Sequence, residues 1–202
     1  FVAFISFASN LVPGDTNSAL DIFVRDLAAG TTERVSVDSA GNQGAWSSFQ
    51  PSISADGRFV SFQSDSETLV AGDSNGFRDT FLHDRLYGTT ELISLDSNGL
   101  QANGWSGASA VSADGRVVVF QSYATNLVPG DANGLADIFV RDRASGETVR
   151  VSVGPAGAEA NGFSFGPQVS ADGPLVLFES PAATPLAGDR NPLADLFLHA
   201  PP

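Results

Sequence analysis

Gly14-Asp15-Thr16-Asn17-Ser18-Ala19-Leu20-Asp21-Ile22-Phe23 reads G-D-x-N-x-x-x-D-x-F, and the pattern returns three times. Gly72-Asp73-Ser74-Asn75 leads to Asp79 and Phe81, and Gly130-Asp131-Ala132-Asn133 leads to Asp137 and Phe139. Gly188-Asp189-Arg190-Asn191 leads to Asp195 and Phe197. The step between successive motif aspartates (Asp15, Asp73, Asp131, Asp189) is 58 residues throughout. A fixed period of that size marks one supersecondary unit repeated along the chain, so fold and function are read per repeat.

Working outward from the loop, each repeat carries the same punctuation. Ser54-Ala55-Asp56-Gly57 recurs at Ser112 to Gly115 and Ser170 to Gly173. Asp-Gly between two apolar runs predicts a tight hairpin, because glycine accepts a positive φ without a Cβ clash. A short strand, Pro51 to Ser54, is expected before it, and a second strand, Phe59 to Ser64, after it. The Gly-Asp loop then leads into a third strand, Asp79 to Asp84. A turn at Gly88 (Gly30 and Gly146 in other repeats) leads to a fourth, Thr90 to Leu95. Val, Ile, Phe and Thr dominate these runs and no segment sustains a 3.6-residue period. Four antiparallel strands per repeat predict an all-β chain, a β-propeller built from 58-residue four-stranded repeats. The opening Phe1 to Ala8 is read as a strand by its repeat partners, not as a leader core.

The repeat resembles the WD40-like repeats known as PD40, the repeat of the TolB propeller. The matching residues are Ser54, Asp56, Gly57, Phe62, Asp79, Phe81, Asp84 and Gly88, with their equivalents elsewhere. Ala55, Ala113 and Ala171 stand where the family has proline, and the loop holding G-D-x-N is longer than the family's. The resemblance implies a propeller. It does not fix the function, because related propellers also accompany serine peptidases. By this reading residues 1–202 are a single propeller segment, with repeats 1–58, 59–116, 117–174 and a partial 175–202. The chain enters at the second strand of one blade and leaves at the third of another, giving about three and a half blades. The expectation is a part of a larger propeller, or one completed by partner chains, since an open ring leaves unpaired edges.

Bulk composition narrows the function classes. The net charge of −13 and pI near 4.2 exclude nucleic acid as a partner, whose phosphates would be repelled. The absence of Cys removes thiol catalysis, zinc–thiolate sites and disulfides. No apolar run is long enough for a membrane-spanning helix, so no membrane insertion is expected.

The repeated loop is the one recurrent constellation with specific chemistry. Hard oxygen donors at alternating positions, with a small residue where the loop turns, suit Ca²⁺, and the spacing resembles calcium loops of EF-hand and integrin-propeller type. The expected ligands are Asp15, Asn17 and Asp21; Asp73, Asn75 and Asp79; Asp131, Asn133 and Asp137; and Asp189, Asn191 and Asp195. Gly76 and Gly134 favour the second and third loops; Ser18 and Pro192 replace that glycine in the others. The same residues also suit an Asx-turn network with no metal.

Other candidates are weighed against plainer roles. His83 and His199 alternate with Arg25 and Arg141 in one slot, which reveals a two-blade superperiod of 116 residues. They are read as strand-end polar residues rather than a paired site. Gly104-Trp105-Ser106-Gly107-Ala108 falls one residue short of a nucleophile elbow, and Ser48 and Ser164 repeat Ser106, so a structural serine is expected. Trp105 and Phe163 share a repeat position, with Trp46 displaced by one; they pack between blades or bind a partner. The expected core is Val2, Phe4, Phe23, Val60, Phe62, Phe81, Val118, Phe120, Phe139 and Phe197. Together these features predict a non-enzymatic, calcium-stabilised extracellular or periplasmic module for protein binding or self-assembly. The alternatives are a propeller domain of a larger hydrolase or peptidase, or a structural subunit of an extracellular filament.

Overall fold

The computed structural model describes residues 1–182 and 193–200. Four antiparallel sheets follow one another along the chain, each with its strands in sequence order. The first holds β1 (Val2–Ser6), β2 (Asp21–Asp26) and β3 (Thr31–Arg34). The second holds β4 (Ser48–Ile53), β5 (Phe59–Ser64), β6 (Asp79–Asp84) and β7 (Thr89–Leu92). The third repeats this with β8 (Ser106–Val111), β9 (Val117–Ser122), β10 (Asp137–Asp142) and β11 (Glu147–Arg150). The fourth holds β12 (Phe165–Val169), β13 (Val176–Ser180) and β14 (Asp195–His199). The fold is all-β and propeller-like, as the repeat predicts.

The hydrophobic alternation places the core between sheets. Ile22, Val24 and Val35 of the first sheet pack on Val60, Phe62, Phe81 and Leu92 of the second. Phe59, Leu82 and Ile93 pack on Val118, Phe120 and Phe139 of the third. Val119, Ile138 and Val151 pack on Val176, Phe178 and Phe197 of the fourth. Inside each sheet one phenylalanine pair sits in register across two neighbouring strands, those that flank the Gly-Asp loop, with ring centroids 5.6–6.0 Å apart. Such cross-strand aromatic pairs add to area burial.

Two expected core residues depart from the prediction. Val2 is 45% exposed and Phe4 is half-buried. They share a face of the first sheet opposite Ile22 and Val24, and among the described residues no further sheet covers it. Period-2 alternation identifies a face but not whether it has a neighbour.

The Ser-Ala-Asp-Gly hairpins form as predicted. Ser54 Oγ donates to Asp56 Oδ1 at 2.6 Å, and the Gly57 amide donates to the Ser54 carbonyl at 2.8 Å. Gly57 and Gly115 have φ of 78° and 72°, and both also serve as notches between blades. A Cβ on Gly57 would lie 2.2 Å from the Phe1 ring, and one on Gly115 2.4 Å from the Phe59 ring. At the next interface Val117 fills the notch of Gly173. Arg143 clamps the same seam from the third blade, bonding Glu91 and the Gly115 carbonyl; Arg85 repeats this with Glu33 and the Gly57 carbonyl.

The first strand of each complete blade is longer than its sequence signal. β4 starts at Ser48, ahead of Pro51, and is bulged between Phe49 and Ser52, where Gln50 adopts φ 46°. The bulge recurs at Ala108 and Gly166. The fourth strand ends at Leu92, short of the expected Leu95, although the Ile93 amide still reaches the Thr80 carbonyl.

Candidate functional site

The Gly-Asp-x-Asn loops lie at one end of the sheets, between the second and third strand of each blade. In the first blade the Asn17 side chain closes an Asx turn: its oxygen accepts from the Ala19 amide at 3.0 Å. Its Nδ2 donates to Asp21 Oδ2 at 3.2 Å and to the Gly44 carbonyl at 3.0 Å. Asp21 is fully buried at the start of β2 and accepts from Ser36 Oγ at 2.6 Å through its other oxygen. Asn75 with Asp79 and Asn133 with Asp137 repeat these contacts, with amide-to-carboxylate distances of 2.7 and 3.0 Å. Ser94 and Ser152 take the place of Ser36. The expected Asp and Asn residues are therefore brought together within each described loop. Asp189 and Asn191 lie outside the described residues, and Asp195 opens β14.

The donor set decides what the first and third loops can hold. Arg34, the last residue of β3, places Nη1 3.5 Å from Asp15 Oδ1 and 3.6 Å from Asp21 Oδ2. Arg150, the last residue of β11, places Nη1 3.2 Å from Asp131 Oδ1, 3.4 Å from Asp137 Oδ2 and 2.8 Å from Glu159 Oε1. A guanidinium stands where a calcium ion would need to sit, and the asparagine turns amide hydrogens, not its oxygen, toward the carboxylate. These two loops do not fit calcium as built; their cation is part of the chain. Among the described residues no group of three or more His, Cys, Asp or Glu side chains is arranged to hold a metal.

The second loop differs. Leu92 occupies the register position of Arg34 and Arg150, opposite Phe81 as they are opposite Phe23 and Phe139. Asp79 is fully buried, and burial pushes its carboxyl up to about 6, with Ser94 and Asn75 pulling the other way. Asp73 is 9% exposed; burial, then the nearby Glu67 charge, raises its carboxyl above the ordinary range. In the third loop burial likewise raises Asp131 to about 6 against the pull of Arg150.

Sequence reasoning singled out the acids and the asparagine and missed Arg34, Arg150, Ser36, Ser94 and Ser152. The signal was present: the serines recur at 58-residue steps, and Arg-Leu-Arg follows the two-blade superperiod.

The serine and histidine candidates take the plainer roles; the aromatic ones do not. Ser106 Oγ lies 2.8 Å from Ser122 Oγ, as Ser48 lies 3.0 Å from Ser64, so it braces two strands. His83 Nδ1 is 2.9 Å from Thr90 Oγ1, and burial lowers its pKa. Arg25 and Arg141 each donate to the equivalent threonine at 3.0 Å, so one slot serves both residue types. His199 lies two sheets from His83 and burial lowers its pKa too. Trp46 is 65% exposed and Phe163 47%, while Trp105 leans on Tyr123 with centroids 5.7 Å apart. None of the three aromatics belongs to a buried inter-sheet core. They share the end of the sheets that carries the Gly-Asp loops: Ser48 donates to the Leu20 carbonyl, and Asn17 to that of Gly44.

No protein-family model matches the chain, and no curated protein matches it. Solved structures do. TolB from Acinetobacter baumannii is similar over 98% of this chain and 37% of its own, with 19% identity and a TM-score of 0.53. A candidate TolB from Agrobacterium tumefaciens is similar over 98% of this chain and 56% of its own, at 14% identity and TM-score 0.57. The tricorn protease is similar over 89% of this chain and 14% of its own, at 16% identity and TM-score 0.50. The chain thus spans just over half, or less, of each of these structures. At such identities the likeness shows the fold, and the fold is a β-propeller of the TolB type, found also in peptidase propellers.

Proposed function

We propose that this chain is a non-catalytic propeller module of the extracellular or periplasmic space that binds a protein partner or assembles with further copies. The observation that carries the reading is the rim of aromatics on three successive sheets, Trp46, the Trp105–Tyr123 pair and Phe163, at one end of the molecule. Large, stiff aromatic side chains at low entropy cost are the usual anchors of protein interfaces. The acidic surface suits a partner that is not a polyanion. Serine, histidine and paired-carboxylate features of the described residues all take structural roles, which supports a binding rather than a chemical task.

Photocrosslinking from positions 46 and 163 of the intact protein in its native compartment tests this, with position 87 as control. Tyr87 is well exposed on the hairpin of the second blade's third and fourth strands, away from the rim. Discrete adducts from 46 and 163, absent from 87, are expected. Equal labelling from all three, or none from the rim, would overturn the reading. A second reading, a propeller attached to a hydrolase, is supported by the likeness to the tricorn protease and to prolyl endopeptidases, the latter at TM-score 0.51. The sequence of the intact gene product distinguishes it, by the presence of a hydrolase segment.

A further inference from the structure

The seams between successive blades share one closing device, and the last seam has lost it. Where the second blade meets the first, the Phe1 ring lies at the Gly57 turn and Arg85 caps it, with Cζ 4.6 Å from the ring centroid. The same guanidinium bonds Glu33 and the Gly57 carbonyl. Where the third blade meets the second, Phe59 and Arg143 repeat this with Glu91 and the Gly115 carbonyl, and Cζ lies 5.4 Å from the ring centroid. An aromatic ring, a cation over its face and an acid beyond it thus fill each of these two seams.

Between the third and fourth blades all three have changed. Val117 pairs with Asp142 as Phe59 pairs with Asp84, so valine stands in the aromatic position. Val149 pairs with Val140 as Glu91 pairs with Leu82, so a second valine stands in place of the acid. One repeat on from Arg143 the sequence has Pro201, which carries no charge and lies outside the described residues. This seam holds a cavity of about 420 Å³, walled by Val117, Val140, Val149, Val151 and Val176. That is the size of a small-molecule site. Among the described residues its charged edge is acidic, with Asp114, Asp142 and Asp172 against Arg116. Arg116 is itself committed to Asp142 at 2.7 Å. His199 lines the cavity and adds no charge at neutral pH, since burial lowers its pKa. Gly173 also lines it, and its counterparts Gly57 and Gly115 present their carbonyls to a guanidinium.

We propose that this seam binds a small aromatic cation of the arylamidine class, which replaces the ring and the guanidinium of the other seams together. The ring lies against the valines, and the cationic head faces the Gly173 carbonyl and the acidic edge. The site is at the end of the sheets opposite the aromatic rim, so it stands or falls apart from the protein-binding reading.

Benzamidine is the probe, with neutral benzamide, of the same shape, as its control; both are titrated into the full chain and read by saturation-transfer NMR. Benzamidine should bind about tenfold more tightly than benzamide, the margin of a charged over a neutral hydrogen bond. Val117→Phe restores the residue of the other two seams, fills the cavity and should remove the benzamidine signal. Val149→Glu, at a position 39% exposed, returns the acid that Glu33 and Glu91 supply. It should tighten benzamidine about two- to fivefold and leave benzamide unchanged, and it decides the matter if Val117→Phe does not fold. No benzamidine binding, equal binding of benzamide, binding retained in Val117→Phe, or no gain in Val149→Glu would overturn the proposal.

Discussion

In the third blade Arg150 reaches Asp131, Asp137 and Glu159; in the second, Leu92 fills the same register position and Gln101 replaces Glu159. The asparagine turn and the serine bond to the buried aspartate are common to both. The shape of these loops is therefore set by the Asx turn, which is local, and by a neutral serine that returns just after the blade's last strand. Charge balance is a separate layer, supplied by one strand-end residue that the repeat is free to vary. The two-blade superperiod is where that freedom shows.

Giving the third loop the second loop's residue should cost the most stability. Arg150→Leu leaves three carboxylates around an apolar side chain, and breaking a buried ion pair costs about 3–5 kcal/mol. Urea unfolding should show that loss; a change under ~1 kcal/mol would mean the arginine is not the charge that holds the loop.

Proton linkage comes next. Asp79 holds its proton more tightly folded than unfolded, since burial raises it to about 6 from an ordinary 3.8. Its contribution to stability is thus fully present below about pH 4 and is lost as the pH rises through about 6, on the order of 2–3 kcal/mol. Asp84 and Asp142 act oppositely. Held low chiefly by hydrogen bonds from Arg58 and Arg116, they contribute stability above about pH 4 that is lost as the pH falls below it. The windows are separate, so stability should decline from pH 4 to 7. Asp131, raised to about 6 by burial, adds to the same decline from the third loop. In Leu92→Arg the share due to Asp79 should be lost and the decline become shallower; parallel profiles for the two proteins would sink the assignment of that share to the second loop.

A smaller effect is the stability of Leu92→Arg itself. At pH 7 it should gain about 1–2 kcal/mol, the pairing of two buried carboxylates exceeding the lost apolar contact. Net destabilisation in chemical unfolding would show that Leu92 matters as core rather than as a missing charge. The smallest expected effect is a coupling. Gln101→Glu should cost stability alone, losing its bond to Gly72, and cost less beside Leu92→Arg, with a coupling of about 0.5–1 kcal/mol in a double-mutant cycle. Strict additivity would deny the analogy with Glu159.

How much of this could be read from the sequence differs by element. The strands of the second blade from Phe59 to Ser64 and from Asp79 to Asp84 carry alternation and turn residues, and both form over those bounds. Ser48 was not read as strand because the bulge at Gln50 breaks the alternation that a regular strand would show. Val2 was read as core because its spacing is right; coverage of a face is a property of neighbouring sheets. In the site, the aspartates and asparagines were legible because they are close together in sequence. The arginines were not, because their role depends on strand pairing that brings Arg34 back beside Asp15 and Asp21 from a different strand. Opposite charge at that distance in sequence carries no local signature, so the acids alone looked like a metal loop.

The glycine notches bear on how one sheet seats on the next. Phe1 seats against Gly57, Phe59 against Gly115 and Val117 against Gly173. In each seam a side chain of the preceding blade lies in the space that a Cβ would take, so even alanine there has to displace its neighbour. The same hairpin turn thus ends one strand and docks one blade on another, and a substitution such as Gly115→Ala perturbs a seam from the turn, through Phe59.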